Sequence, residues 1–260
     1  MHTKDYQPTG YPSDLTDAEW ELIAEYFPQG PNSEHHKRSL INGVMYLVDN
    51  GCKWRALPHE YPPYSTVHSF YRRAKLSGLW EKVLKATVER SRLKAGRNAT
   101  PSYGIVDSQS VKTVYASDDR GIDGGKKIKG RKRHIIVDTL GNLLAIVVHA
   151  ANIHDTKSGI KAAKQAFEKY PSISKFCGDE GYRKSFELDV LTELGLSVDI
   201  SERIKPQFVV LPKRWVVERA FAWFGHSRRL SKDFEIRTDS AETMAKISHL
   251  HLLLRRLALG

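Results

Sequence analysis

The chain has 260 residues, with 41 Lys and Arg against 30 Asp and Glu, a formal charge of +11 and a pI near 9.5. That is long enough for one large domain, or for a catalytic domain with a small helical companion, and it favours a polyanionic partner over a neutral metabolite. Cys52 and Cys177 lie far apart without metal-ligand spacing, which argues against a disulfide framework or a zinc site. The polar start MHTKDY and the absence of ~18 consecutive apolar residues argue against a secretory signal or a membrane span, so a cytoplasmic location is expected.

Residues 11 to 95 read as helical. Leu15-Thr16-Asp17-Ala18-Glu19-Trp20 places Thr16 as N-cap with Glu19 three positions later, a capping box, and this helix is expected to run to about Phe27. A second helix spans roughly His36 to Asp49, with Leu40, Val44, Leu47 and Val48 on one face and Asn50-Gly51 as its stop. A third begins near Ser65: Val67, Phe70, Tyr71 and Ala74 form its apolar stripe, while Arg72, Arg73 and Lys75 face elsewhere. Gly78 separates it from a fourth, from Leu79 to about Leu93. Helices two and three, joined through Pro58, Pro62 and Pro63, fit a helix-turn-helix that carries Arg72 and Arg73 into a DNA groove; a bundle with a solvated basic face fits the same pattern. Lys94 to Ser102 reads as a linker, so residues 1–98 are expected to form an N-terminal helical, DNA-binding domain.

After the linker the periodicity changes, and residues 99–260 are expected to form the catalytic domain. Tyr103 to Val106 is a short apolar strand ending in Asp107. Ile135 to Val137 and Leu143 to Val148 form a hairpin about the turn Asp138 to Asn142. Helical patterns cover 155 to 170 and 184 to 194, short strands Phe176 to Gly178 and Ser197 to Ile200, and two further helices run from about Pro212 past Gly225 and from about Ala241 to Leu257. This order implies an α/β (α+β) protein with a mixed sheet covered by helices.

Three acids stand out. Asp107 is placed at a strand end, and Asp179 follows a strand within Cys177-Gly178-Asp179-Glu180-Gly181-Tyr182, where glycines allow a ligand to approach the backbone. On the helix after Pro212, Val216, Val217, Ala220, Trp223 and Phe224 share one face and Glu218 points away from it, with Arg214, Ala222 and Gly225 around it. If that helix continues, Arg229 and Lys232 fall on the Glu218 side, about 16 and 21 Å along, as a row for successive phosphates. A bland alternative is a surface ion pair between Glu218 and Arg214, worth about 0.3–0.5 kcal/mol. Converging carboxylates are hard oxygen ligands for two Mg²⁺ ions, or Mn²⁺ in their place, which neutralise the attacking and leaving oxygens of a phosphodiester. Lys126, Lys127, Lys129, Arg131, Lys132 and Arg133 crowd into eight residues and are expected to form a basic loop that clamps DNA phosphates. Asp138, in the hairpin turn, and Asp155, near a helix start, are read as turn and cap residues. His134, His149 and His154 lack a carboxylate and nucleophile partner at readable spacing.

Together these residues resemble the insertion-sequence-five family of bacterial DDE transposases. The likeness is carried by YPSDLTDAEWELIAEYFP, CKWRALPHEYPPYSTVHSFYRR, GIVDSQSVKT, GRKRHIIVDTLGNLLAIVVHAANIHD, GDEGYR and LPKRWVVERAFAWFGHSRRLSKDFE. It implies an RNase H-like catalytic domain and an acidic triad matched by Asp107, Asp179 and Glu218. It also implies Mg²⁺-dependent cutting at element ends and strand transfer into double-stranded target DNA. The short stretch from Asp179 to Glu218 leaves no room for a large insertion domain. Arg214 matches the Arg of a Tyr-Arg-Glu-Lys signature found among similar transposases; Leu211 stands in place of its Tyr and Gly225 in place of its Lys, with Arg229 or Lys232 as substitutes. Glu180 is a second-choice ligand. Pairing two DNA ends implies a homodimer or larger assembly. A nuclease of the same fold without strand transfer, and a catalytically inactive DNA-binding regulator, are the competing readings.

Overall fold

The structure is a computed structural model that describes residues 6–30, 33–201 and 212–259, with the backbone alone for 212–214. Helix α1 (Asp17–Glu21) begins with the expected capping box: Glu19 N donates to the Thr16 hydroxyl, and Thr16 N donates to the Glu19 carboxylate at 2.7 Å. It is shorter than expected, because a 3-10 turn at Ala24–Tyr26 redirects the chain so that both Ile23 and Phe27 enter the core. Helix α2 (Lys37–Asn50) stops at Gly51, whose φ of +70° is the left-handed conformation that ends a helix at little cost only in glycine. Helix α3 (Tyr64–Leu76) buries Val67, Phe70, Tyr71 and Ala74 and leaves Arg72 and Arg73 exposed, and α4 (Leu79–Lys94) follows.

The sheet contains β1 (Tyr103–Lys112), β2 (Gly121–Asp123), β3 (Ile128–Val137), β4 (Leu143–Ala150), β5 (Lys175–Asp179) and β6 (Ser197–Ser201). It is mixed. β3 runs antiparallel to β1 on one edge and to β4 and the short β2 on the other, whereas β5 lies parallel to β1, and β6 parallel to β5. Helix α5 (Asp155–Lys169) crosses the sheet to reach β5, and α6 (Ser185–Leu194) joins β5 to β6. Helix α7 (Pro212–Gly225) packs on β1, β3 and β5, and α8 (Thr238–Ala258) packs on β4 and α4. The apolar core is therefore continuous across residue 98: Val83, Leu84 and Val88 of α4 share it with Met244, Ile247 and Leu254 of α8.

Two sequence expectations change here. β1 does not end at Asp107 but runs five residues past it to Lys112, because Ser108 to Lys112 keep pairing with β3. The basic run is not a loop from end to end. Lys126 and Lys127 lie in the turn before β3 and Lys129 on its first residues, all exposed, but Arg131, Lys132 and Arg133 are buried within β3. Strand alternation explains the burial. Arg131 and Arg133 point to the face covered by the segment between α7 and α8, and Lys132 with His134 points to the face covered by α5; both faces are closed.

His134, His249 and His251 are buried, and burial is the main cause that holds their imidazoles down to about 3; His149 beside His134 is held down as well. His249 Nε2 accepts from Leu143 N at 2.9 Å, which suits the neutral ring. In the unfolded chain these rings titrate near 6.5, so below that pH the unfolded state binds protons that the native state refuses. Stability present above about pH 6.5 is thus lost as pH falls toward the folded values; half-buried Glu242, with its carboxyl raised, opposes this in part. The urea midpoint followed by tryptophan fluorescence is expected to fall from pH 7 to 6 to 5, and to fall less in a His249→Gln variant. A midpoint flat over that range refutes the assignment.

Candidate active site

Parallel register brings two of the three acids together. Ile105 of β1 pairs with Cys177 of β5, so two residues further along each strand Asp107 and Asp179 reach the same face and the same end of the sheet. One step outward, Asp179 pairs with Ser201 of β6. Asp107, Asp179 and Ser201 line one narrow cleft of about 10 Å³, closed on its helical side by Val217 of α7. The backbone orients both carboxylates: Ser108 N donates to Asp107 Oδ1 at 2.7 Å, and Gly181 N donates to Asp179 Oδ1 at 2.9 Å, which starts a 3-10 turn at Glu180–Tyr182.

Glu218 stands on α7, next to the cleft wall. Val216, Val217, Ala220 and Phe224 are buried, as the helical plot predicts, and the Glu218 side chain is exposed. Among the described residues no three His, Cys, Asp or Glu side chains come close enough together to hold a metal ion. The structure therefore unites Asp107 with Asp179 in one cleft and carries Glu218 on the helix that walls it, with no three-acid group among the described residues. The two acids in the cleft supply hard oxygen donors of the kind that divalent cations take.

Gly178, which lines the cleft, also leaves room for Tyr182 beneath it. A side chain there would meet Tyr182 at 3.0 Å, so the close neighbour is this buried ring. Burial raises the Tyr182 phenol well above its ordinary range, helped by the carboxylates of Asp107, Asp155 and Asp179 around it. Asp155 opens α5 on that side of the sheet, with its Oδ1 2.9 Å from Lys132 Nζ. Asp138 keeps its turn role: Leu140 N and Asn142 N donate to its Oδ1, and Arg92 of α4 pairs with Oδ2 at 2.6 Å. His134 Nδ1 and His149 Nε2 lie 2.7 Å apart in the same buried network, away from the Asp107 face.

The expected DNA-contacting residues divide sharply. Arg72, Arg73, Lys126, Lys127, Lys129 and Lys232 are exposed, as phosphate contacts require. Arg131, Lys132 and Arg133 are not available. Arg131 is fully buried, pairs with Asp233 at 3.1 Å and donates to the carbonyls of Asp118, Glu235 and Ile236. Arg133 donates to Leu230 O, and Lys132 is tied to Asp155 and Ile153 O. Arg229 is likewise buried, held by Glu235 at 2.7 Å and by Cys52 O. The expected row from Glu218 through Arg229 to Lys232 does not form, because α7 ends at Gly225 and the chain turns through Arg228–Leu230. The Arg214 side chain and Leu211 lie outside the described residues, and Glu180 is exposed at the start of its turn. Ser201, which no sequence signal marks, joins the cleft solely through strand pairing.

Comparison with known proteins gives matches in two stretches of the chain. Residues 98–198 match the transposase DDE domain, and residues 15–84 match the family described as "Putative transposase of IS4/5 family". The chain is 32% identical over 122 residues to a Burkholderia cepacia protein described as "Putative transposase for insertion sequence element IS402". That match takes in 42% of this chain and 56% of the relative, little more than half of its length.

Proposed function

We propose that this chain is a DDE-type insertion-sequence transposase, which cuts DNA at the ends of its element and joins the exposed 3′ hydroxyls to double-stranded target DNA. The single observation that carries this reading is the meeting of Asp107 and Asp179 in one cleft at the rim of an RNase H-like mixed sheet. Asp107, Asp179 and Glu218 are the residues that hold divalent ions, two Mg²⁺ with Mn²⁺ as a substitute. When bound, such ions neutralise charge on the attacking and leaving oxygens of the phosphodiester.

The chain's own residues do the rest. Ser108 N and Gly181 N fix the rotamers of the two aspartates, so that ion binding does not have to order them. Val217 and Ile105 exclude water from the apolar wall, and the Ser201 hydroxyl orients the water or 3′ hydroxyl that attacks. Glu218, the residue after Val217 of the cleft wall, would be the third oxygen ligand. Exposed Lys126, Lys127, Lys129, Arg72, Arg73 and Lys232 hold the DNA backbone, and Arg214 is a further phosphate contact. Residues 1–98 recognise the terminal repeats, and pairing of two ends calls for at least two copies of the chain.

Incubating the chain with Mg²⁺, labelled element ends and a target plasmid is the direct test. Joined products are expected. Cut ends without joining point to a nuclease of the same fold, and an unchanged substrate that the protein nevertheless binds points to a DNA-binding regulator.

A further inference from the structure

The outer face of α7 carries an arrangement that the acidic cleft does not use. Trp215, Arg219 and Trp223 follow at intervals of four, so their side chains stack along the helix. The Arg219 guanidinium lies 4.3 Å from the centre of the Trp215 ring and 4.8 Å from that of Trp223, and Arg256 of α8 covers Trp223 at 3.8 Å. The stack is anchored to the sheet. Arg219 Nη2 donates to Leu140 O at 2.9 Å, and the β3–β4 turn passes so near that a side chain at Gly141 would meet the Trp223 ring at 3.0 Å.

Two facts make this more than packing. Among the described residues neither Arg219 nor Arg256 has a carboxylate partner, so two positive charges share one indole without neutralisation. Trp215 is 46% exposed, one helical turn before Glu218, on the helix whose Val217 walls the cleft. A surface indole braced by a cation, with unneutralised guanidiniums behind it, offers a π face to a base and positive charge to the phosphates of the same strand. A base inside a duplex is already covered on both faces, so the surface suits an unpaired one.

We propose that Trp215 stacks an unpaired base of the DNA strand whose phosphate enters the acidic cleft, with Arg219 bracing the indole and Arg256 facing the strand's backbone. This rests on the function proposed above, because it presumes that DNA is the substrate.

The test uses the full chain without metal and two 30-base-pair probes of one sequence, one fully paired and one with its last three pairs mismatched. The wild type is expected to bind the frayed probe ~10-fold more tightly, with quenching of tryptophan fluorescence. Trp215→Leu is expected to lose that preference while keeping wild-type affinity for the paired probe, and Trp215→Phe to keep most of it. Thermal melting of each variant checks that the fold is intact. A Trp215→Leu protein that keeps the preference, or that weakens on both probes alike, overturns the inference alone. So does a change in sedimentation without a change in preference, which would make Trp215 a contact between protein chains. A wild type that binds neither probe overturns the proposed function and this inference with it.

Discussion

Asp107→Asn is expected to abolish strand cleavage, lowering its rate by about three orders of magnitude or more, some 4 kcal/mol of transition-state stabilisation. Affinity for DNA measured without metal is expected to stay close to wild type. Asparagine keeps the size of the side chain and an oxygen to accept from Ser108 N, now made at 2.7 Å, so geometry is preserved and only the charge is lost. That charge has two opposite effects. Without metal, Asp107 and Asp179 line the same cleft, and their like charges repel one another. With Mg²⁺, the wild type gains stability through binding to the folded state, and the variant is expected to lose that gain. Melting curves with and without Mg²⁺, beside a cleavage assay, separate a ligand from a merely structural acid. An Asp107→Asn protein that still cuts, or whose Tm still climbs with Mg²⁺, removes Asp107 from the metal site.

The second large effect is on stability. Arg131→Met is expected to destabilise the protein by about 3–5 kcal/mol, because it strands the buried Asp233 carboxylate and takes the donors from the Asp118, Glu235 and Ile236 carbonyls. Lys129→Ala, two residues earlier on the same strand but exposed, is expected to leave stability within about 0.5 kcal/mol. Its effect falls on DNA binding instead, as a shallower dependence of affinity on salt. Urea unfolding of the two variants decides the matter: equal midpoints would show that Arg131 is not the strut that its burial makes it.

This contrast also shows what the sequence makes legible. Local signals read well because their cause is local: the Thr16 and Glu19 capping box, the Gly51 stop and the Asp138 to Asn142 turn all depend on residues within a few positions of one another. The basic run reads poorly because the cause is remote. Lys-Gly-Arg-Lys-Arg looks solvated until the acids and carbonyls that satisfy it arrive from Asp155 and from residues 230 to 236. Alternation along β3 then sends neighbouring cations to opposite faces, each of them covered. Asp107 reads as a strand end for a related reason: the polar residues after it resemble a loop, yet Ser108 and Ser110 are buried in pairing with β3. The acidic pair itself was legible as two candidates. Their meeting depends on the pairing of Ile105 with Cys177, a register that no single segment encodes.

The packing of α8 against both α4 and β4 also bears on how the chain is made. Until residues 238 to 258 have left the ribosome, Val83, Leu84 and Val88 on one side and Ile146 and Val148 on the other wait for the helix that will cover them. The fourth helix synthesised is thus covered only when the last one arrives. A product that stops short of α8 exposes a broad oily surface to chaperones and proteases, instead of leaving a shorter but serviceable DNA-binding fragment.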